Sequence, residues 1–218
     1  MAELSVKVLF LGDFGCGKKS IVERIVHNTF TARGESLMGV EFDEKNLQWA
    51  KSTTVRLSMW KLPEYPSRVY SHSRFGAEGV FLIVDFSRPF DMEQILIWKD
   101  AVNELDRIRR SPLPVILLAN KSDIPRHASV PPLEQLCALA ASHGFTRVVE
   151  TSAKDAMHRV CSSSHHLLKI TSTAACIHLF LQGINEAVSL MVNLTIANYP
   201  FCIPSLSLAV YVRACVLL

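Results

Sequence analysis

Charge is sparse in this sequence. Asp, Glu, Lys and Arg make up 20% of the 218 residues, and the formal balance is only +3. A balance that small carries no electrostatic footprint for nucleic acid, and none is expected as a partner. Gly and Pro are few, at 9 and 10, which excludes collagen-like and low-complexity classes. The 6 cysteines (Cys16, Cys137, Cys161, Cys176, Cys202 and Cys215) lie far apart and include no CxxC. Neither a disulfide scaffold nor a zinc spacing is present, and no metal site is expected. No internal repeat is visible. The opening residues, MAELSVKV, lack a basic stretch followed by a long apolar run, so no signal peptide is expected and synthesis in the cytosol is the default. What the chain has in quantity is apolar residues, 49%, with a mean hydropathy of +0.22. That suffices for one domain with a sizeable core and is thin for two.

Over the first 155 residues, short apolar runs alternate with helical patterns. Val6 to Leu11 reads as a buried strand. A Gly-rich turn follows, then a helix with Ile21, Val22, Ile25 and Val26 on one face. Val40 to Leu62 reads as two strands, with a hairpin turn at Ala50-Lys51-Ser52-Thr53. Further strands are expected at Val80 to Val84, Val115 to Ala119 and Phe145 to Glu150. Helices are expected at Asp91 to Arg110 and Pro131 to His143, the second closed by Gly144. Strands alternating with helices imply an α/β fold: a mostly parallel six-stranded sheet with helices on both faces.

Three segments at strand ends carry chemistry. Gly12-Asp13-Phe14-Gly15-Cys16-Gly17-Lys18-Lys19-Ser20 fits GxxxxGK between a strand and a helix, the phosphate-binding loop. Its backbone N–H groups would wrap phosphates, aided by the helix N-terminus, and Lys18 would reach the outer phosphates. The candidate phosphate contacts are Gly15, Cys16, Gly17, Lys18, Lys19 and Ser20. Asn120-Lys121-Ser122-Asp123 follows one buried strand and Thr151-Ser152-Ala153-Lys154 another. Both would open on the edge where such sheets bind ligands. Asp123 would accept two hydrogen bonds from guanine, a pair that adenine cannot supply. Asn120 and Lys121 would brace the base, and Ala153 would donate its backbone N–H to the guanine oxygen, with Ser152 and Lys154 beside it.

These motifs, together with Leu47-Gln48-Trp49, Val55-Arg56-Leu57, Leu118-Ala119 and Gly144-Phe145-Thr146, resemble the Rab family of small GTPases, and within it the branch serving lysosome-related organelles. The resemblance spans about residues 5 to 158 and resumes at Ile184-Asn185-Glu186-Ala187. It implies the P-loop small-GTPase fold and a guanine-nucleotide ligand, GTP or GDP. It also implies effector and exchange-factor proteins as partners in vesicle traffic, with Phe42 and Trp60 on the effector surface. The alternative for those two aromatics is sheet packing.

The resemblance fails at the metal. The family's Mg²⁺ ligands are a hydroxyl after GK, a Thr two residues before Gly39, and an Asp after Trp60. Here Lys19, Leu37 and Lys61 stand at those positions. The Gly and Gln of the second switch are missing from Lys61-Leu62-Pro63-Glu64-Tyr65, and Phe14 adds bulk beside the γ-phosphate position. Mg²⁺ therefore lacks its ligands, and hydrolysis is expected to be impaired, with no residue assigned a catalytic role. Without γ-phosphate sensors, GDP and GTP would hold the same conformation, giving a fixed surface rather than a switch. Lys19 and Lys61 either replace the charge of the metal or mark drift.

From Arg159 onward only four residues in 60 are charged (Arg159, Lys169, Glu186 and Arg213). The expected organisation is a nucleotide-binding domain over 1–158, an atypical insertion over 159–183, the last helix over 184–198 and a hydrophobic tail over 199–218. The insertion reads as a loop with a short helix or as translated intron, since Leu179-Phe180-Leu181-Gln182 can be encoded by an acceptor-site tract. The ending Cys215-Val216-Leu217-Leu218 fits C-a-a-X with Leu last, the geranylgeranyl pattern. A lipid on Cys215 would place the protein on the cytosolic face of intracellular membranes. The alternatives to a nucleotide-binding trafficking protein are a nucleotide-independent effector-binding scaffold and an unstable read-through isoform.

Overall fold

The computed structural model describes residues 2–32, 39–50, 53–63, 76–106 and 113–160. Leu37, Glu64 and Tyr65, the rest of the expected insertion after Val160, the helix expected over 184–198 and the tail with Cys215 lie outside the described residues.

The elements run β1 (Ala2–Leu11), α1 (Lys18–His27), β2 (Glu41–Ala50), β3 (Thr53–Lys61), β4 (Gly79–Asp85), α2 (Met92–Asp106), β5 (Val115–Asn120), α3 (Leu133–Ser142), β6 (Arg147–Ser152) and β7 (Met157–Val160). They form one sheet in the order β2-β3-β1-β4-β5-β6-β7. The parallel pairs are β1 with β3, β1 with β4, β4 with β5, and β5 with β6. The hairpin β2–β3 is antiparallel. The six strands read from the sequence are all present. A seventh, β7, folds back antiparallel on β6 and pairs Ser152 with Met157. It crosses the boundary drawn at residue 158. It is four residues long, too short for a periodic signal.

Sheet pleating sorts the core onto two faces. Val6, Val8 and Phe10 of β1 meet Ile21, Val22 and Ile25 of α1 on one face. Leu9 and Leu11 of the same strand meet Ile95, Trp98 and Val102 of α2 and Leu136 and Ala140 of α3 on the other. Strand β1 begins four residues before its expected start, because its first half pairs only with β3 and tolerates Glu3, Ser5 and Lys7 between its apolar positions.

Helix α3 ends as Gly144 predicts. Gly144 has φ +74; its N–H donates to the Ala141 carbonyl at 3.0 Å and the Phe145 N–H to the Ala140 carbonyl at 3.0 Å. This is the paired closure that a left-handed glycine permits. Among the described residues no helix is long and apolar enough to cross a membrane.

Candidate functional site

Strand β1 has β3 on one side and β4 on the other. The crevice at such a reversal, at the carboxyl ends of the strands, is where α/β sheets bind ligands. Here it is a cleft of about 460 Å³. Gly15, Gly17, Lys18, Lys19 and Ser20 line it from the first loop, and Asn120, Lys121, Asp123, Ala153 and Lys154 from the loops after β5 and β6. The fold thus joins segments more than 100 residues apart in sequence. Cys16 and Ser152 do not line the cleft and act from behind it.

The phosphate loop is held from three sides. Lys18 Nζ arches over it, donating to the carbonyls of Gly12 at 2.7 Å and Asp13 at 3.0 Å. Asp13 Oδ1 accepts from the Trp98 indole at 2.9 Å, which anchors the loop to α2. Asn120, buried beneath the loop, donates its side-chain amide to the Cys16 carbonyl at 2.8 Å. Its Oδ1 accepts from the Thr151 hydroxyl at 3.2 Å. Asn120, expected to brace the base, turns its amide to the loop after β1 and so joins that loop to those after β5 and β6. Cys16 is buried, and burial is the main cause that pushes its thiol up to about 11, so it stays protonated.

The loops after β5 and β6 meet at the other end of the cleft. Asp123 Oδ1 accepts from Ser152 Oγ at 2.7 Å, and Ser152 Oγ in turn accepts from the Asp155 N–H at 3.0 Å. Lys154 Nζ stands 4.0 Å from Asp123 Oδ2. Ser152 therefore orients the carboxylate from below. Phe30 joins the cleft wall and packs against the core beneath α1.

Several supporting residues escaped the sequence reading. Arg24 of α1 donates to the carbonyls of Ala153 at 2.9 Å and Lys154 at 3.1 Å, tying the first helix to the last loop. Asp85, at the end of β4, joins both halves of the site. Its Oδ2 lies 2.7 Å from Lys121 Nζ and 3.2 Å from Arg88 Nε. Arg88 Nη1 reaches the Phe14 carbonyl at 2.8 Å. A carboxylate at the carboxyl end of a central strand was the one signal that pointed to Asp85. Burial raises the Asp85 pKa, but its hydrogen bonds from Lys121 and Ser87 outweigh this and hold it below the usual carboxylate range.

A depressed folded pKa stabilises the fold above the unfolded value, and that stability is lost as pH falls through the folded value. Asp85→Asn is expected to destabilise the protein by about 1–3 kcal/mol at neutral pH, from the loss of charge-assisted hydrogen bonds. The deficit is expected to shrink as pH falls below the ordinary Asp value of about 3.9. Denaturation midpoints across a pH series check this; a deficit that does not change with pH contradicts it.

Lys61, half of the idea that lysines replace the charge of the metal, has a different arrangement. Its ammonium is 2.6 Å from Glu41 Oε2 and 2.8 Å from Asp43 Oδ2. Although it lines the cleft, it is engaged by two carboxylates of strand β2. The donor set does not fit Mg²⁺, a hard cation that needs several oxygen ligands: Glu41 and Asp43 close on an ammonium, and Lys19 and Lys61 stand where the family resemblance expects two ligands. Among the described residues no group of three or more His, Cys, Asp or Glu could hold a metal.

Phe42 and Trp60 lie away from the cleft, cross-strand partners on β2 and β3 with ring centroids 5.1 Å apart. Lys7 Nζ sits 4.2 Å from the Trp60 ring centre. Trp60 also packs on the α2–α3 core, whereas Phe42 is 48% exposed. One aromatic is shared with the sheet and the other is presented to solvent.

Over the residues that build this cleft, the chain is similar to known proteins. Residues 7–169 match the model of the Ras family. Ras-related protein Rab-32 of Mus musculus is 38% identical over 157 residues, which cover 68% of each chain. Ras-related protein Rab-32A of Dictyostelium discoideum is 34% identical over 163 residues, covering 72% of this chain and 73% of its own. Ras-related protein Rab-7L1 of Rattus norvegicus is 33% identical over 153 residues, covering 68% of this chain and 74% of its own.

Proposed function

The chain belongs to the Ras family, in its Rab branch, and on that footing we propose that it is a guanine-nucleotide-binding protein of intracellular vesicle traffic with impaired GTP hydrolysis. One observation carries the reading: a single cleft holds Lys18 with its phosphate loop at one end and Asp123 with its Ser152 support at the other. The loop offers backbone N–H groups and a helix N-terminus to phosphates, and Asp123 offers a carboxylate to a base with two adjacent donors. Nucleotide binding proceeds without Mg²⁺, since lysines replace two of its ligands. With the switch Gly and the water-orienting Gln both missing from the sequence, hydrolysis loses the groups that position an attacking water in this family.

The same reading makes Phe42, with Trp60 beneath it, an effector surface whose shape does not depend on the nucleotide. Exchange factors and effectors are its protein partners, and a lipid on Cys215 is its membrane anchor on the cytosolic face.

Purified protein is expected to carry guanine nucleotide and to retain it in EDTA. Its single-turnover hydrolysis is expected to fall below the roughly 10⁻⁴ s⁻¹ of unassisted members of this class. Turnover at an ordinary family rate, or release of nucleotide on chelation, contradicts the reading. A second reading, a nucleotide-independent scaffold, draws support from the Lys61 cluster, which joins β2 to β3 by ion pairs that need no ligand. A cooperatively folded protein that arrives empty and binds neither GDP nor GTP favours it.

A further inference from the structure

The Lys61 cluster also bears on which nucleotide the cleft accepts. Lys61 is the last residue of β3 and pairs with Phe10 of β1, just before that strand enters the phosphate loop. The Leu62 N–H then donates to the Phe10 carbonyl at 3.1 Å. Lys61, Glu41, Leu62 and Pro63 form a wall of the same cleft as Gly15 and Lys18. Lys61 is 8% exposed and holds two carboxylates, one from Glu41 and one from Asp43. Together these three side chains bear one net negative charge, and two of them, Glu41 and Lys61, line the place where a ligand would bring several more.

We propose that this wall makes the cleft selective for guanosine diphosphate over guanosine triphosphate, by charge exclusion of the terminal phosphate. This rests on the guanine-nucleotide reading above. A diphosphate is served by the loop and Lys18. A third phosphate extends past the loop toward Glu41. To gain the Lys61 ammonium it must draw that cation away from two carboxylates. Both would then be partly buried and unpaired beside a polyanion, an unfavourable exchange for any such group. Phe14, 61% exposed on the same cleft wall, adds bulk on the loop side without charge to offer. The selectivity concerns affinity and is compatible with one fixed conformation in either complex.

The test is titration calorimetry of the full chain, stripped of nucleotide, with GDP and with GTP, in EDTA and in Mg²⁺. GDP is expected to bind at least about tenfold more tightly than GTP in both buffers, a difference of roughly 1.4 kcal/mol. The double variant Glu41→Gln, Asp43→Asn releases Lys61 to the terminal phosphate, and the ratio is expected to narrow toward one. If that variant does not fold, the salt dependence of the wild-type ratio decides. Raising KCl toward 1 M screens charge beyond about 3 Å and is expected to narrow the ratio. Equal affinities in the wild type overturn the selectivity alone, as does a ratio that neither the variant nor salt moves. Binding of neither nucleotide overturns the guanine-nucleotide reading itself, and the selectivity with it.

Discussion

Replacing Asp123 by Asn is expected to lower guanine-nucleotide affinity by ~10²–10⁴-fold. The carboxylate is positioned by Ser152 Oγ at 2.7 Å and opens on the cleft. It would accept two hydrogen bonds from the guanine N1–H and 2-amino group. Bonds to a charged acceptor are worth about 1.5–3 kcal/mol each, and each 1.4 kcal/mol is about tenfold in affinity. An asparagine keeps one acceptor and turns a donor toward the other guanine donor, so the pair is lost. The same change should raise affinity for xanthine nucleotides, whose 2-oxo group accepts where guanine donates. Stability should change little, because the asparagine oxygen can still accept from Ser152. Displacement of a fluorescent guanine nucleotide, repeated with a xanthine competitor, reads both effects. Wild-type guanine affinity in the variant would remove Asp123 from base recognition.

Replacing Gly17 by Ala should destabilise the protein strongly. Gly17 has φ +103, and a Cβ added there would lie 2.2 Å from the Asn120 side-chain nitrogen. That amide is the buried donor to the Cys16 carbonyl. The methyl group therefore strains the backbone, at about 1–3 kcal/mol, and displaces a buried hydrogen bond, at about 1–3 kcal/mol. A loss of about 2–6 kcal/mol is a large part of a typical 5–15 kcal/mol. Gly39→Ala is the control: it lines the same cleft, and its added Cβ would meet nothing within 4 Å. Denaturant midpoints and the nucleotide content of the purified variants measure the difference. Equal midpoints for the two variants would show that the Gly17–Asn120 approach is not what holds the loop.

Residues whose role depends on local spacing were legible before the fold was known. The GxxxxGK loop declares itself because its glycines, lysine and helix start act within nine residues. Asp123 and Ala153 declare themselves because each follows an apolar run that reads as a strand, and strand ends are where ligands gather. Asn120 was legible as a member of the site but not in its task. Its amide turns back to the Cys16 carbonyl, a partner 104 residues away that no spacing announces. Arg24 and Arg88 were invisible for the same reason: their acceptors are backbone carbonyls of distant loops.

The clearest division lies in the hairpin of β2 and β3. By itself the sequence determined that two strands meet at a turn near Lys51, that Lys61 stands where the family resemblance expects an acidic residue, and that Phe42 and Trp60 stand on those strands. It did not determine what Lys61 faces. Ala50 pairs with Thr53, and an uninterrupted ladder from there would set Lys61 opposite Phe42. A register shift between Gln48 and Ala50 sets it opposite Glu41 instead and puts Trp60 opposite Phe42. A slip of one residue exchanges the two faces of a strand. That irregularity, set by pairing within the sheet, turns a lysine that could have served as a phosphate ligand into the partner of two carboxylates. Composition and motif named the ligand class because the chemistry of a phosphate loop is local. Only the tertiary structure decided the charge at the far end of the cleft, because that charge depends on which strand residues the register brings face to face.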